Sequence, residues 1–310
     1  ALERELSALG LLGTDGPSSA RQLERSLRRH AAAQIKLLAQ WSRGRRAAVL
    51  AVVLLDEDRR SIQTLLRGAA DTAAPEVRMA DLIPTEQLPE RALRSLAEQP
   101  TVTDVVRLLL LFKHPLAGSM AAAAGGARPS LFRIEVELGR AFAEVALRDA
   151  QRGGGHLRAY AQESVDLMNV YAALLHFPER DPSLRELVFI DGGDFLGPDE
   201  FEAMMRLQTS GELPAYLGQL FKGSALSDVF EAGALDLSNL EARVLQAQID
   251  AQRKAMLRDP LGAAAILGFV LELRAQMLDL RRILWGITLQ APPALLYGDQ
   301  VSAGRRGGSS

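Results

Sequence analysis

Residues 45–68 read RRAAVLAVVLLDEDRRSIQTLLRG, and this stretch decides the fold class. Its apolar residues recur with the period of an α-helix that buries one face. The unbroken apolar run, Ala47 to Leu55, is nine residues long and has charged residues on both sides. A membrane span needs roughly twenty apolar residues. The stretch is therefore predicted to be a long helix in the core of a soluble protein.

The composition of the whole chain is also that of a helical protein. Its 310 residues are 48% apolar but only 5% aromatic. Ala, Leu, Arg and Glu, which lose little side-chain freedom in a helix, are abundant, whereas β-branched residues are scarce. We therefore predict an all-α fold. Helical periodicity is strongest in six long segments, namely 19–41, 45–68, 130–152, 155–176, 237–257 and 260–287.

Short breaks join these six segments in pairs. The breaks at 42–44, 153–155 and 259–260 are polar or contain Gly or Pro, so each pair is predicted to pack as an antiparallel hairpin. Shorter amphipathic helices are predicted between the hairpins, at 86–97, 102–112, 116–124, 184–189, 198–208 and 211–221. Residues 301–310 have nothing to bury and are predicted to form a disordered tail.

Charge and motif content argue against several classes of function. The chain has 36 Lys and Arg against 38 Asp and Glu, so its net charge of -2 creates no basic field for nucleic acid or anionic lipid. The absence of Cys excludes thiolate metal sites and Cys nucleophiles. The four His lack metal-ligand spacing, and no G-x-x-x-x-G-K-[ST] phosphate loop occurs. We expect no metal, no cofactor and no nucleotide hydrolysis by this chain.

The first helix of each predicted pair carries the same short feature. An aliphatic residue is followed by Glu at Leu23-Glu24, Ile134-Glu135 and Leu240-Glu241. The separations between these sites are 111 and 106 residues. A near-constant period of this kind indicates internal repetition.

The second helix of each pair carries a polar residue and, three positions later, another polar residue before an aliphatic one. These pairs are Asp58 and Ser61, Asp166 and Asn169, and Gln276 and Asp279. They recur at 108 and 110 residues, and positions three apart share one helix face. Features in constant order at a constant period predict three helical units in one chain, at residues 1–112, 113–222 and 223–300.

Several stretches resemble the C-type subunits of the archaeal and bacterial V/A-type ATPases, whose eukaryotic counterparts are the d-type subunits of the vacuolar ATPases. They are DRRSIQTLLR at 58–67, KHPL at 113–116, ESVDLMN at 163–169, FIDGGDF at 189–195, DPLG at 259–262 and DLRRIL at 279–284. The family shows an acidic residue and then Asn-Leu-Arg, or a variant, in the second helix of each repeat. Here Asn169 keeps the Asn, and Ser61 and Asp279 replace it. The resemblance covers residues 45–300.

This resemblance implies a non-catalytic, funnel-shaped protein of three pseudo-symmetric units. Its mouth would receive the tip of the rotor axle, and its narrow base would rest on the cytoplasmic loops of the proteolipid ring. The chain would then couple axle to ring during ion transport. It would be a peripheral component on the cytoplasmic face of the membrane.

Two interpretations of the polar residues remain open. If the repeated polar pairs face the inner wall of the funnel, they contact the axle. Alternatively, they tie neighbouring helices together or cap a loop, because polar groups inside a fold are normally hydrogen-bonded internally. Arginine groups could contact acidic loops of the ring or axle, or could form a solvated helix face. These arginines are Arg43, Arg45, Arg46, Arg59, Arg60, Arg281 and Arg282.

Two other classes of function fit parts of the sequence. A helical-repeat scaffold that binds peptides would share this composition, but its repeats run at roughly 34 to 47 residues, far shorter than the period here. The acidic run Asp56-Glu57-Asp58 is similar to the first motif of an all-α prenyl-transfer enzyme, whose carboxylates hold Mg²⁺ on a diphosphate. Such an enzyme needs a second acidic motif on a facing helix. Asp191 and Asp194 flank a Gly-Gly turn instead.

Overall fold

The computed structural model describes residues 20–80, 82–126, 129–176, 187–231 and 237–291. These residues form helices joined by turns and loops, without a β-strand among them, and the predicted all-α fold is confirmed. In chain order the helices are α1 (Ala20–Trp41), α2 (Arg45–Ala70), α3 (Pro75–Arg78), α4 (Glu90–Ala97), α5 (Val102–Leu111), α6 (Ala117–Ala124), α7 (Leu131–Gly153), α8 (Gly155–His176), α9 (Pro198–Met205), α10 (Leu213–Leu220), α11 (Ser227–Glu231), α12 (Leu237–Met256) and α13 (Ala263–Thr288).

The six predicted long helices are present as α1, α2, α7, α8, α12 and α13, with differences at some ends. Helix α13 begins at Ala263 rather than at 260, because Gly262 is its N-cap. Helix α4 begins at Glu90 rather than at 86, because the residue before Pro89 is disfavoured in a helical conformation. Of the segment predicted at 184–189, residues 184–186 lie outside the described residues, and residues 187–189 lie within them. The predicted tail at 301–310 lies entirely outside them.

The prediction of three hairpins is correct for two pairs and wrong for the first. Helices α7 and α8 pack on each other, and so do α12 and α13. Helix α1 instead packs mainly on α13, while α2 packs on α7. Gly44, with a φ of 56°, provides the turn between α1 and α2. The buried Leu27 of α1 contacts Met277 and Leu280 of α13, so the apolar face of α1 finds its partner at the far end of the chain.

The long helices therefore contact one another in a closed order. The second helix of the first pair, α2, packs on α7, and the last helix, α13, packs on α1. Helices α8 and α12 are linked by side-chain hydrogen bonds. Gln248 Nε2 donates to Glu163 Oε1 at 2.8 Å, and His156 Nε2 lies 2.6 Å from Gln252 Oε1. The second helix of each pair thus contacts the first helix of the next pair.

Apolar packing fills most of the space between the helices. Val53, Ala146 and Leu157 are fully buried there, in a core that extends across α2, α4 to α7 and α13. A second core joins α8 to helices α9 through α12 and includes Phe221 and Phe230, whose ring centroids are 4.9 Å apart. The filling is incomplete at one end of the long helices.

Candidate functional site: a cavity between the helix pairs

Two neighbouring cavities lie at this incompletely filled end. The larger, of about 640 Å³, is lined by residues of α2, α7, α8 and α12. The smaller, of about 190 Å³, is lined mainly by residues of α1, α2, α12 and α13. The walls of both contain Arg60 and Glu241. The lining comes from the early turns of α1, α7 and α12 and from the middle and later parts of α2, α8 and α13, so all three helix pairs contribute. Further lining residues lie outside these helices, namely Ala80, Leu82, Ile83, Val188 and Ile190.

Two of the repeated Glu residues are each held by two side chains of the adjoining helix. Glu135 of α7 accepts a hydrogen bond from Gln63 Nε2 at 3.3 Å and another from Arg67 Nε at 2.7 Å. These donors lie five and nine positions after Asp58. The contact therefore joins α2 to α7 at the rim of the larger cavity.

The same arrangement recurs between α13 and α1. Glu24 accepts hydrogen bonds from Arg281 Nε at 3.3 Å and from Trp285 Nε1 at 2.5 Å. These donors lie five and nine positions after Gln276, the repeat counterpart of Asp58. The contact between α2 and α7 and the contact between α13 and α1 thus use donors at the same spacing from the repeated polar residue, although the donor side chains differ.

The third Glu departs from this arrangement. The positions five and nine after Asp166 are Tyr171 and Leu175, and Leu175 has no polar group to offer. Glu241 is 63% exposed and instead accepts a hydrogen bond from Arg60 Nη1 of α2 at 3.2 Å. The Tyr171 hydroxyl is buried and has no hydrogen-bond partner among the described residues. Burial, reinforced by the nearby charge of Glu241, raises the pKa of Tyr171 to about 12.

A cluster of buried charges in the middle of α2 supports this wall. Asp56 Oδ1 lies 2.7 Å from Arg59 Nη2, and its Oδ2 accepts hydrogen bonds from Arg60 Nε at 3.1 Å and from the Tyr160 hydroxyl at 3.3 Å. Burial alone would raise the pKa of Asp56. The guanidinium groups of Arg59, Arg60 and Arg274 outweigh burial and hold that pKa well below its ordinary range. Asp56 is therefore a permanent anion that orients two arginines.

The other two carboxylates of the acidic run are also paired. Glu57 Oε1 lies 3.3 Å from Arg274 Nη1, and both side chains are buried. Asp58 accepts a hydrogen bond from the Thr85 hydroxyl at 2.6 Å and lies 3.4 Å from His114 Nε2. Burial raises the pKa values of Glu57 and Asp58. Among the described residues, no group of three or more His, Asp or Glu side chains is arranged to hold a metal ion.

The Asp58 contact fastens the loop that follows α3. Thr85 Oγ1 donates to Asp58 and also accepts the backbone N–H of Leu88 at 2.9 Å. Replacing Thr85 by Val keeps the side-chain shape but removes one hydrogen bond from Asp58 and leaves the Leu88 N–H without its acceptor. We expect it to lower the free energy of unfolding by about 2 kcal/mol, measured by urea titration.

Thr64→Val is the matched control for this variant. Thr64 is half-buried on α2, and its hydroxyl makes no hydrogen bond among the described residues. Its replacement should leave the unfolding curve nearly unchanged. Equal losses in the two variants would mean that the Asp58 contact does not hold the loop.

The second polar pair fastens the loop that follows α8. The carboxylate of Asp166 accepts backbone N–H groups of Asp194, Phe195 and Leu196 at 3.0, 3.1 and 3.0 Å. Asn169 accepts the N–H of Ile190 at 2.9 Å and donates to its carbonyl oxygen at 2.8 Å. Gly193 allows the close approach, because a Cβ there would lie 2.0 Å from Asp166 Oδ1.

The six residues of the polar pairs do not form one common surface. Asp58, Ser61, Asp166, Asn169 and Asp279 are buried, and Gln276 is exposed. In the first two pairs the acidic residue bonds to a loop that follows its helix in the chain rather than to residues of the other pairs. The arginines named as candidate contacts in the sequence also lie in different parts of the structure. Arg45 donates to the carbonyl of Gly153, Arg59 and Arg60 surround Asp56, and Arg281 contacts Glu24. Arg43, Arg46 and Arg282 are exposed.

Sequence reasoning missed several residues of the cavity wall. It used Glu24, Glu135 and Glu241 only to mark the repeat, and it did not single out Arg67 or Tyr171. The signal that could have found the wall is the constant spacing of five and nine residues from the polar repeat position. Within the described part of the chain, no helix combines the length and apolarity needed to cross a membrane.

Comparison with known proteins identifies the family of this chain. The model of the ATP synthase (C/AC39) subunit family matches residues 10–296, which is most of the chain. No curated protein matches the sequence. Because the match covers all the described helices and the fold is all-helical, as the resemblance implied, the chain belongs to the C/AC39 family of V/A-type ATPase subunits.

Proposed function

We propose that this chain is the non-catalytic socket of the central stalk in a rotary V/A-type ATPase, coupling the rotor axle to the proteolipid ring for ion transport. The observation that carries the proposal is the cavity at one end of the molecule, to which all three helix pairs contribute walls. A shaft that enters between three like walls is gripped from several sides. Transmission of torque through such a grip needs no catalytic group.

Threefold pseudo-symmetry is part of the proposal, with units at residues 1–112, 113–222 and 223–300. It is supported by the equal register in which Gln63 and Arg67 hold Glu135 and in which Arg281 and Trp285 hold Glu24. It is also supported by the closed order of helix contacts, in which α13 returns to α1. A ring of helices closed in this way resists torsion because its close-packed interior is hard to deform.

The end opposite the cavity suits contact with the ring. The helix connections there expose the large apolar residues Trp41, Leu257 and Leu261. Arg43 and Arg258 are exposed in the same connections. An apolar surface rimmed by charge is typical of a protein interface. The protein would then stand on the cytoplasmic face of the membrane, with the axle above it and the proteolipid loops below.

Two reciprocal variants test the two partners of the socket separately. Ala172 lines the larger cavity, so Ala172→Trp fills it and should abolish co-purification of axle subunits while ring subunits remain bound. Leu257 is 85% exposed, and Leu257→Asp should weaken the ring contact and leave the axle bound. The measurement is affinity purification of tagged full-length chain from source membranes in mild detergent, with each component of the complex quantified.

Ala33→Trp provides the control, because Ala33 is exposed in the middle of α1 and does not line either cavity. It should retain both partners. Purification of the wild-type chain free of both axle and ring subunits would overturn the proposed function. Loss of both partners in the Ala172→Trp variant with its helical circular dichroism intact would overturn the assignment of the cavity to the axle.

A further inference from the structure

Arg60 is held in a fixed orientation by a partner beneath it. Its Nε donates to the buried carboxylate of Asp56, which is also hydrogen-bonded by the Tyr160 hydroxyl. This contact leaves the Nη1 side of the guanidinium facing the cavities, whose walls both contain Arg60. A guanidinium fixed at Nε and open at its other edge is suited to bind a carboxylate without losing further side-chain freedom.

The group that now occupies this edge is the carboxylate of Glu241. Its side chain is 63% exposed, and its bond to Arg60 joins α12 to α2 in the wall that the two cavities share. An exposed ion pair of this kind is worth little, since solvent screens it. Glu24 and Glu135, by contrast, are largely buried and are each held by two donors.

Glu24 and Glu135 each accept a hydrogen bond from the residue five positions after the first polar residue of the adjoining helix. The equivalent residue for Glu241 is Tyr171, whose buried hydroxyl makes no hydrogen bond within the described residues. A buried polar atom without a partner carries a free-energy cost, and it needs an explanation. Transfer of Glu241 from Arg60 to Tyr171 would give this hydroxyl a hydrogen-bond acceptor. It would also reproduce the contact that Glu24 and Glu135 make with their adjoining helices.

We propose that Arg60 is the seat for a carboxylate of the polypeptide that enters the cavity, and that Glu241 fills this seat while the cavity is empty. An acidic side chain of the occupant displaces Glu241 from Arg60, and the released Glu241 accepts a hydrogen bond from Tyr171. The inference rests on the proposed function, since it takes the axle tip as the occupant. It adds the chemistry that the axle tip must carry and the residues that recognise it.

The test measures the affinity of full-length variants for the purified axle protein of the same ATPase by isothermal titration calorimetry. Glu241→Gln removes the competing carboxylate and should tighten axle binding by about threefold. Glu135→Gln is the matched control at the equivalent repeat position, and it should not tighten binding. Adding Arg60→Lys to Glu241→Gln should abolish the gain, because Lys keeps a charge beside Asp56 but loses the planar fork.

Tyr171→Phe supplies an independent readout. In the free chain it removes a hydroxyl without a partner among the described residues, so the melting temperature should stay equal or rise. Axle binding should nevertheless weaken by about fivefold, because the released Glu241 loses its hydrogen-bond donor.

Three results would count against the inference, and they are distinguishable. If the wild-type chain binds the axle but Glu241→Gln binds it no more tightly than Glu135→Gln does, the seat at Arg60 is refuted. Unchanged axle binding by Tyr171→Phe refutes the transfer of Glu241. If the wild-type chain does not bind the axle at all, the proposed function itself fails, and the inference fails with it.

Discussion

Replacement of Asp56 by Asn is expected to lower the free energy of unfolding by about 3 to 5 kcal/mol, although the two side chains have nearly the same shape. Asp56 is buried and lies within hydrogen-bonding distance of Arg59, Arg60 and the Tyr160 hydroxyl. A neutral amide leaves the buried guanidinium group of Arg59 without its counter-charge and removes the carboxylate that holds Arg60. Removal of one partner from a buried ion pair is costly because the remaining charge stays desolvated.

The measurement is chemical unfolding at pH 7, followed by circular dichroism at 222 nm. Asp71→Asn provides the control on the same helix, since Asp71 lies exposed at the end of α2. It should change the stability little. If the two variants lost equal stability, the charge cluster would not be holding α2 in place.

The pH dependence of the Asp56 contribution has a definite sign. The folded-state pKa of Asp56 lies below its ordinary value of 3.8, so the unfolded chain takes up the proton first as the solution is acidified. The stabilisation by Asp56 is therefore complete above about pH 5 and is lost as the pH falls through the acid range toward the folded-state pKa. The stability difference between the wild-type chain and Asp56→Asn should shrink accordingly below about pH 4. A difference that stays constant down to pH 3 would contradict this assignment.

Replacement of Asp166 by Ala is expected to lower the free energy of unfolding by about 3 kcal/mol. The carboxylate of Asp166 is fully buried and accepts three consecutive backbone N–H groups, from Asp194 to Leu196. Its loss leaves these donors without a partner and frees the loop between residues 190 and 196. Hydrogen exchange in this loop should therefore accelerate more than exchange in α2.

The carboxylate of Asp191 in the same loop gives a matched control. It is exposed and accepts only the N–H of its neighbour Gly192 among the described residues, so Asp191→Ala should leave the stability nearly unchanged. Axle binding separates the two interpretations of the repeated polar pairs. An Asp166→Ala chain of lowered melting temperature that still binds the axle would support the loop-fastening role. A chain of normal stability that no longer binds the axle would support direct contact.

The secondary structure of this protein is largely a local property of its sequence. The 3.6-residue period of apolar side chains and the scarcity of β-branched residues predict the six long helices, because each helix satisfies its own backbone hydrogen bonds. The errors lie at helix ends such as Glu90 and Ala263, where a proline or a glycine N-cap shifts the first turn by a few residues. The three repeated Glu residues, which marked the repeat in the sequence, all lie in the cavity walls, whereas Ser61 is the one residue of the polar pairs that lines a cavity described here.

Pairing of the helices could not be predicted in the same way. The connection at residues 42–44 suggested a hairpin, yet α1 packs on α13. The apolar faces of these amphipathic helices are chemically alike, so the sequence alone does not distinguish one acceptable partner from another. Closure of the whole chain selects the partner that buries the most surface without strain.

The sequence by itself thus determined the all-α class, the positions of the long helices and the register of the repeated polar residues, since all three depend on spacing along the chain. Only the tertiary structure decided that Glu241 faces Arg60 rather than Tyr171. It alone likewise brought Asp58 to Thr85 and Asp166 to the loop after α8. The physical reason is that these contacts join residues far apart in the chain, and their formation depends on how the long helices pack against one another in the folded chain.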